Sequence, residues 1–394
     1  MCPYRNSSLP PTPCTLHPAP CTHHTHHTHH THLTHHTHHT HHTHLTHHPT
    51  PPMKTRYFFT TLARIADLEN HPFEVQPLPM ADWATGDYVV GKVLEAKGSL
   101  AKVELANGRM ANQVEGDLVV GAFGVRKATL EAVGDWQSIQ PDLVMHNLTL
   151  AGLFGRLTSA SYLLPQLPTL TYMGHVIRQG QKVTMQDFVP DIPLLPYTRP
   201  TILIIGTSMS AGKTTTARVI IHLLTQLNLK VIGAKLTGAG RYRDILAMLD
   251  AGADRVFDFV DVGLPSSICP PEAFRPALQK LLSMIEREAP DVVVAEAGAS
   301  PHEPYNGSVA MEALTQQAKF TVLCASDPYA VVGVSQSFGI TPDLVTGIAT
   351  STTAGMELVE RLTDIPALNL AESACHGRLL SLLKTKVVPG GATV

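Results

Sequence analysis

The sequence predicts an α/β domain with a mainly parallel sheet over residues 201–394. A smaller β-rich or α+β domain over 53–189 precedes it, and a disordered histidine-rich tail over 1–52 comes first. Three observations carry this reading. After residue 200, short continuous apolar runs alternate with segments of helical spacing, the pattern of strands buried on both faces and their crossover helices. Between 53 and 189, short runs alternate apolar and polar residues and are broken by turn signals. Before residue 49 a His-His-Thr repeat dominates the text.

The tail holds 17 of the 23 histidines, and its repeat cannot bury a core. It lacks the basic start and apolar middle of a secretory signal. Two accounts stand: a metal-holding tail, since imidazole suits zinc, nickel and copper, or translated repeat DNA upstream of a start at Met53. The chain as a whole is ordinary in composition, with 44% apolar and 15% charged residues and a formal net charge of -3. That balance gives no electrostatic footprint for nucleic acid, and no run reaches the roughly 18 apolar residues of a membrane helix. Six cysteines without C-x-x-C spacing do not make a disulfide scaffold. A cytoplasmic protein with a small-molecule substrate is expected, and a homodimer is compatible with it.

In the β-rich region, 86–96 and 101–110 read as strands, with Asn107-Gly108 as a hairpin turn. The phrase Gly-Asp-x-Val-Val-Gly occurs at 86 and again at 116, either a trace of duplication or two similar turns entering barrel strands. Small helices are expected at 59–69 and 147–166. Arg126, Lys127 and Asp135 are either ligand contacts or solvated charges at strand ends. Prolines 190, 193, 196 and 200 exclude a helix or central strand and mark a linker over 190–200.

Beyond the linker, strands are expected at 201–206, 230–236, 291–298, 320–326, 344–350 and 365–370, and helices at 213–228, 271–289 and 353–363. Ligands of such sheets bind beyond the carboxyl ends of the strands. There the sequence reads Gly206-Thr-Ser-Met-Ser-Ala-Gly212-Lys213-Thr214, a Walker A-type phosphate loop one residue longer than G-x-x-x-x-G-K-[ST]. By chance such a string arises in about one chain in a hundred of this length. Glycines let backbone N–H groups face phosphate oxygens, and the helix N-terminus adds its dipole. Gly206, Thr207, Ser210, Ala211, Gly212, Lys213, Thr214 and Thr215 are the expected nucleotide contacts. Lys213 would reach the outer phosphates and Thr214 a magnesium ion.

This loop resembles that of the dethiobiotin synthetase-like branch of P-loop NTPases, which also includes cobyric acid synthase-type amidoligases and MinD-like ATPases. The resemblance covers about 199–370. It implies that Lys235 in "AKLTGAG" and Glu296 in "VVVAEAG" join Lys213 in catalysis, and that Thr214, Asp244 and Glu296 share the magnesium. Asp244 read alone is equally a helix cap. The position of the second lysine in MinD-like proteins is Ser208, which argues against their paired-lysine mechanism. The adenine-reading asparagine is missing from 347–355, which leaves ATP against GTP undecided on the residues; the resemblance makes ATP the expected nucleotide, with GTP not excluded.

The loop "GASPHEPYNG" (298–307) is similar to a Glu-Gly-Ser-His-Pro-Tyr-Gly string in a P-loop family that includes a D-glutamate N-acetyltransferase, though here the order is Pro-His-Glu-Pro-Tyr. It makes His302 a candidate acid or base, or else a loop histidine in water. Arg241 and Arg243 would clamp an anionic substrate or stand in solvent. The leading expectation is an ATP- and magnesium-dependent ligase or phosphotransferase that activates a small carboxylate or carbamate. The alternatives are a GTPase-like metal or cofactor delivery protein and an amino-acid N-acetyltransferase holding acyl-CoA on the loop.

Overall fold

Among the described residues, twelve strands precede the proline segment: β1 (Tyr57–Phe59), β2 (Glu74–Gln76), β3 (Tyr88–Glu95), β4 (Lys102–Glu104), β5 (Met110–Asn112), β6 (Leu118–Phe123), β7 (Val125–Lys127), β8 (Ala132–Asp135), β9 (Val144–Thr149), β10 (Leu153–Ala160), β11 (Thr169–Arg178) and β12 (Gln181–Lys182). The computed structural model describes residues 55–298 and 300–387. The histidine-rich tail and Met53 lie outside the described residues. Strands β6, β3, β11, β9 and β10 pair in a ring, because β10 returns to β6 in parallel. Closure removes the open sheet edges. Inside lie Trp83, Val89, Phe123, Met145, Phe154 and Tyr172, all buried.

The two Gly-Asp-x-Val-Val-Gly phrases lie against each other. Their strands β3 and β6 are antiparallel, with Val89 opposite Gly121, Val90 opposite Val120 and Gly91 opposite Val119. The turns match bond for bond. Gly86 N donates to Phe123 O at 2.8 Å and Gly116 N to Val93 O at 2.9 Å. Asp87 and Asp117 each accept from the amide three residues before, at 2.8 Å in both turns. The repeat is thus a local two-fold axis.

The segment 147–166 is strand rather than helix. Leu148, Leu150 and Leu153 suggest helical spacing, but Gly152 sits at φ +87 and turns the chain between β9 and β10. In 59–69 only a single 3₁₀ turn forms, at Thr61–Ala63. Residues 189–200 carry no regular structure.

The second half alternates as its periodicity demands: β13 (Thr201–Gly206), α1 (Lys213–Thr225), β14 (Val231–Thr237), α2 (Tyr242–Asp250), β15 (Arg255–Asp258), α3 (Pro271–Arg287), β16 (Val292–Ala297), α4 (Gly307–Ala313), β17 (Ala318–Cys324), α5 (Pro328–Phe338), β18 (Leu344–Thr346), α6 (Thr353–Thr363) and α7 (His376–Lys386). The sheet is parallel throughout, in the order β15-β14-β16-β13-β17-β18. Residues 365–370 contribute one bridge, Ala367 to Val345, and no strand. Every residue of β13, β14 and β16 is buried, so the polar residues among them must find partners.

The two halves share one apolar core, in which Leu62 and Tyr88 of the barrel region join Phe259, Val260 and Tyr305 of the α/β region. Polar ties reinforce it. The buried Arg64 guanidinium meets Asp258 at 2.7 Å and Asp261 at 2.8 Å. Glu104 of β4 accepts from the amides of Tyr242 and Arg243 at 2.8 and 3.0 Å, capping α2 from the other half. Among the described residues no helix is long and apolar enough to cross a membrane.

Candidate functional site: a phosphate loop facing a leucine wall

The loop between β13 and α1 runs from Gly206 to Thr214 at the carboxyl end of the sheet. Gly212 caps α1 in the left-handed region, at φ +99, where a side chain would be strained. Gly206 has a different reason. A Cβ there would lie 2.9 Å from Cδ and Nζ of Lys213, which folds across it. Lys213 is 2% exposed, and its Nζ donates to Ser208 O at 2.6 Å. Burial holds this ammonium below the ordinary lysine value, against the pull of the Glu296 carboxylate.

Register brings the next two residues together, since Lys235 of β14 lies beside Glu296 of β16. Glu296 in turn accepts from Thr214 Oγ1 at 3.2 Å. Burial raises the Glu296 carboxyl above the usual range despite the nearby Lys235 and Lys213. Lys235 forms an ion pair with Asp244 on the first turn of α2. Burial opposes the Lys235 charge, but Asp244 and Glu296 outweigh it and raise the pKa. Burial likewise opposes the Asp244 carboxylate, yet Lys235 holds it low. The two stay charged as a pair.

Lys213, Thr214, Lys235, Asp244 and Glu296 all line one cavity of about 530 Å³. The expected magnesium set is only partly assembled. Thr214 and Glu296 are in contact, whereas Asp244 is engaged by Lys235. Among the described residues no three His, Cys, Asp or Glu side chains group to hold a metal by themselves. Two adjacent hard oxygens do suit magnesium, which takes one or two protein ligands and fills its shell from phosphates and water.

The other loop residues brace the site. Thr207 Oγ1 lies 3.1 Å from Ser326 Oγ and accepts from Ser326 N, tying the loop to the end of β17. Ser210 Oγ donates to Glu131 Oε1 of the barrel region at 3.3 Å. Ala211 is buried and Thr215 exposed on the first turn of α1.

His302 requires correction. It is exposed, its ring centroid lies 4.3 Å from that of Phe338 with the planes tilted by 43°, and it does not line the cavity. Its loop joins the two halves instead. Tyr305 OH accepts from Lys127 N at 3.0 Å, and Glu303 Oε1 accepts from Thr129 N and Oγ1 at 2.9 and 2.6 Å. Asn306 Nδ2 donates to the carbonyls of Ser267 and Cys269. Burial pushes the Tyr305 phenol up to about 12.

Sequence reasoning missed the cavity's far side. Arg126 is buried, donates to Leu148 O at 2.5 Å and pairs with Glu131, so it is not a solvated strand-end charge. Around it stand leucines of the barrel region, notably from the 161–168 connection. The signal was the "SYLLPQLP" segment, whose leucines belong to no strand pattern. Arg241 also lines the cavity, while Arg243 points to solvent.

The strand, glycine loop, helix-opening lysine and parallel sheet make 201–387 a P-loop α/β domain. No protein-family model matches the sequence, and no curated protein matches it. Solved structures do overlap it. Chloroplast FtsY from Physcomitrella patens is 18% identical over 45% of this chain and 59% of its own, with a TM-score of 0.30. The cell division protein FtsY of Thermotoga maritima gives 16% over 46% and 65%, with a TM-score of 0.31. The signal recognition particle 54 kDa protein of Aeropyrum pernix K1, solved with GDP, gives 21% over 48% and 50%, with a TM-score of 0.29. The chain thus spans less than two thirds of each, and overlaps this slight carry no inference about ligand or activity.

Proposed function

We propose that the chain is a nucleoside-triphosphate-dependent enzyme, with ATP as the leading nucleotide, that phosphorylates a small carboxylate for ligation or ring closure. The observation that supports this most is the convergence of Lys213, Thr214, Lys235 and Glu296 on a cavity that continues well beyond the loop. A pure nucleotide switch has no need of an apolar wall beside its phosphate loop, and a cavity of about 530 Å³ is of the size that takes a small molecule.

Lys213 exchanges its bond to Ser208 O for the outer phosphate oxygens, and the loop amides hold the rest of the chain of phosphates. Thr214 and Glu296 are the residues that would hold magnesium, with Asp244 joining them only when Lys235 turns from it toward a phosphate. Bound there, the ion supplies positive charge against the phosphates and orients them. A substrate carboxylate oxygen forms a bond to the γ-phosphorus. The bond from that phosphorus to the bridging oxygen breaks, and its electron pair leaves on the nucleoside diphosphate. Lys213 and Lys235 offset the charge that spreads over the transferred group.

Isothermal titration with ATP and with GTP, each with magnesium, on wild type and Lys213→Ala tests the reading. Wild type is expected to bind and the variant to lose at least tenfold in affinity. Equal binding by both proteins, or none by either, overturns it.

A further inference from the structure

The cavity has two chemically distinct halves. Its polar half is the phosphate loop with Lys235, Asp244 and Glu296. Its other half is a wall of Leu130, Leu148, Leu163, Leu164, Leu167 and Met209, all but the last contributed by the barrel region. Leu130 and Leu163 are 66% and 74% exposed at the mouth, which costs apolar hydration unless something covers them.

Charge is distributed just as unevenly. Arg126 is paired with Glu131, and Lys235 with Asp244. Of the cationic side chains on the cavity, Lys213 and Arg241 have no ion-pair partner among the described residues. Lys213 belongs to the loop. Arg241, immediately before α2, is left facing the space between phosphates and leucines. Arg126 Nε is buried without a partner at the edge of the same wall.

We propose that the barrel region is the specificity half of the enzyme, and that it selects an aliphatic carboxylic acid whose hydrocarbon body lies on the leucine wall while its carboxylate meets Arg241. This rests on the phosphorylating reading above and names its substrate class. The wall excludes water from the reacting carboxylate, and Arg241 orients it toward the γ-phosphorus. Polar amino acids and hydroxy acids are rejected, because nothing on the leucine wall answers a buried polar group.

The test is calorimetric, on the full chain with magnesium and a non-hydrolysable ATP analogue. Straight-chain acids from acetate to octanoate are titrated, along with 1-hexanol. Affinity is expected to rise about fourfold per methylene until the cavity is filled, and hexanoate to bind more tightly than hexanol. The double variant Leu130→Asn/Leu163→Asn changes two exposed positions, so folding is not at stake. It is expected to weaken hexanoate about tenfold and leave the nucleotide analogue's affinity unchanged. Arg241→Gln is expected to abolish the preference for acid over alcohol.

Affinity independent of chain length, or equal for acid and alcohol in wild type, overturns the substrate assignment while nucleotide binding stands. Tight binding of hexanoyl-CoA with no binding of hexanoate also overturns it, in favour of acyl transfer. Chain-length-dependent acid binding in a protein that binds no nucleotide would instead sink the phosphorylating reading and keep the wall.

Discussion

Glu104→Ala is expected to loosen the joint between the two halves. The Glu104 side chain is fully buried on β4 and accepts three hydrogen bonds: from Thr61 Oγ1 at 2.6 Å, Tyr242 N at 2.8 Å and Arg243 N at 3.0 Å. Two of these satisfy orphan amides at the start of α2, so the carboxylate acts as a helix cap supplied from a distant strand. Removing a capping side chain costs about 1–2 kcal/mol. The Thr61 hydroxyl adds about 1 kcal/mol at most, because it also lies within reach of Leu105 O at 3.3 Å. The total is about 1–3 kcal/mol. Glu104→Gln keeps one carbonyl oxygen and the shape, and is expected to cost about 1 kcal/mol. Urea unfolding followed by circular dichroism measures both, with a lower midpoint and an unchanged slope. Since α2 carries Asp244, the alanine variant is also expected to weaken nucleotide binding. An alanine variant within about 0.5 kcal/mol of wild type would refute the capping argument.

Three further outcomes are expected. Gly206→Ala should fold normally but lose nucleotide affinity by tenfold or more in titration, because its Cβ displaces Lys213 from the loop. Burial lifts the Asp258 carboxyl from 3.8 to about 6. The native state therefore holds that proton more tightly than the unfolded chain between those values, and this group's contribution to stability falls as pH rises from about 4 to about 6. Urea midpoints across that window should show a slope that Asp258→Asn lacks, and identical slopes would count against it. Burial also pushes the Cys324 thiol up to about 12, so brief iodoacetamide treatment at pH 8 should leave Cys324 unmodified by peptide mapping while the partly exposed Cys375 reacts.

The parts of the site that the sequence exposes are those with local signals. The loop is a contiguous string, and Glu296 stands out because a carboxylate after four apolar residues needs a reason. Lys235 enters through the resemblance alone, because the alternation of strands and helices does not say which strands are neighbours; the parallel register of β14 and β16 sets it beside Glu296. What stayed hidden depends on pairings between distant segments. Arg126 reads from the sequence as either a ligand contact or a solvated charge, and only Leu148 O and Glu131 closing around it exclude the second. The 147–166 stretch has enough leucines at helical spacing to mislead, and only the turn at Gly152 sends it into the barrel. His302 sits close in sequence to Glu296, but its ring lies against Phe338 and outside the cavity lining. The magnesium set is what the resemblance implies, and a resemblance of motifs does not show that Lys235 is near enough to hold Asp244.

The local two-fold axis in the barrel also has a consequence for how the chain behaves in company. Each Gly-Asp-x-Val-Val-Gly arm finds in the other the same ledge of backbone donors and acceptors that it offers itself. A second molecule presents that ledge too, with identical turns and matching valines. During refolding at high concentration, the arms of two chains would compete with arms of the same chain, and exchanged dimers are the expected by-product, visible by sizing the refolded protein. Dilution restores the advantage of the intramolecular partner. The symmetry of this strand pair thus makes assembly of the barrel sensitive to concentration.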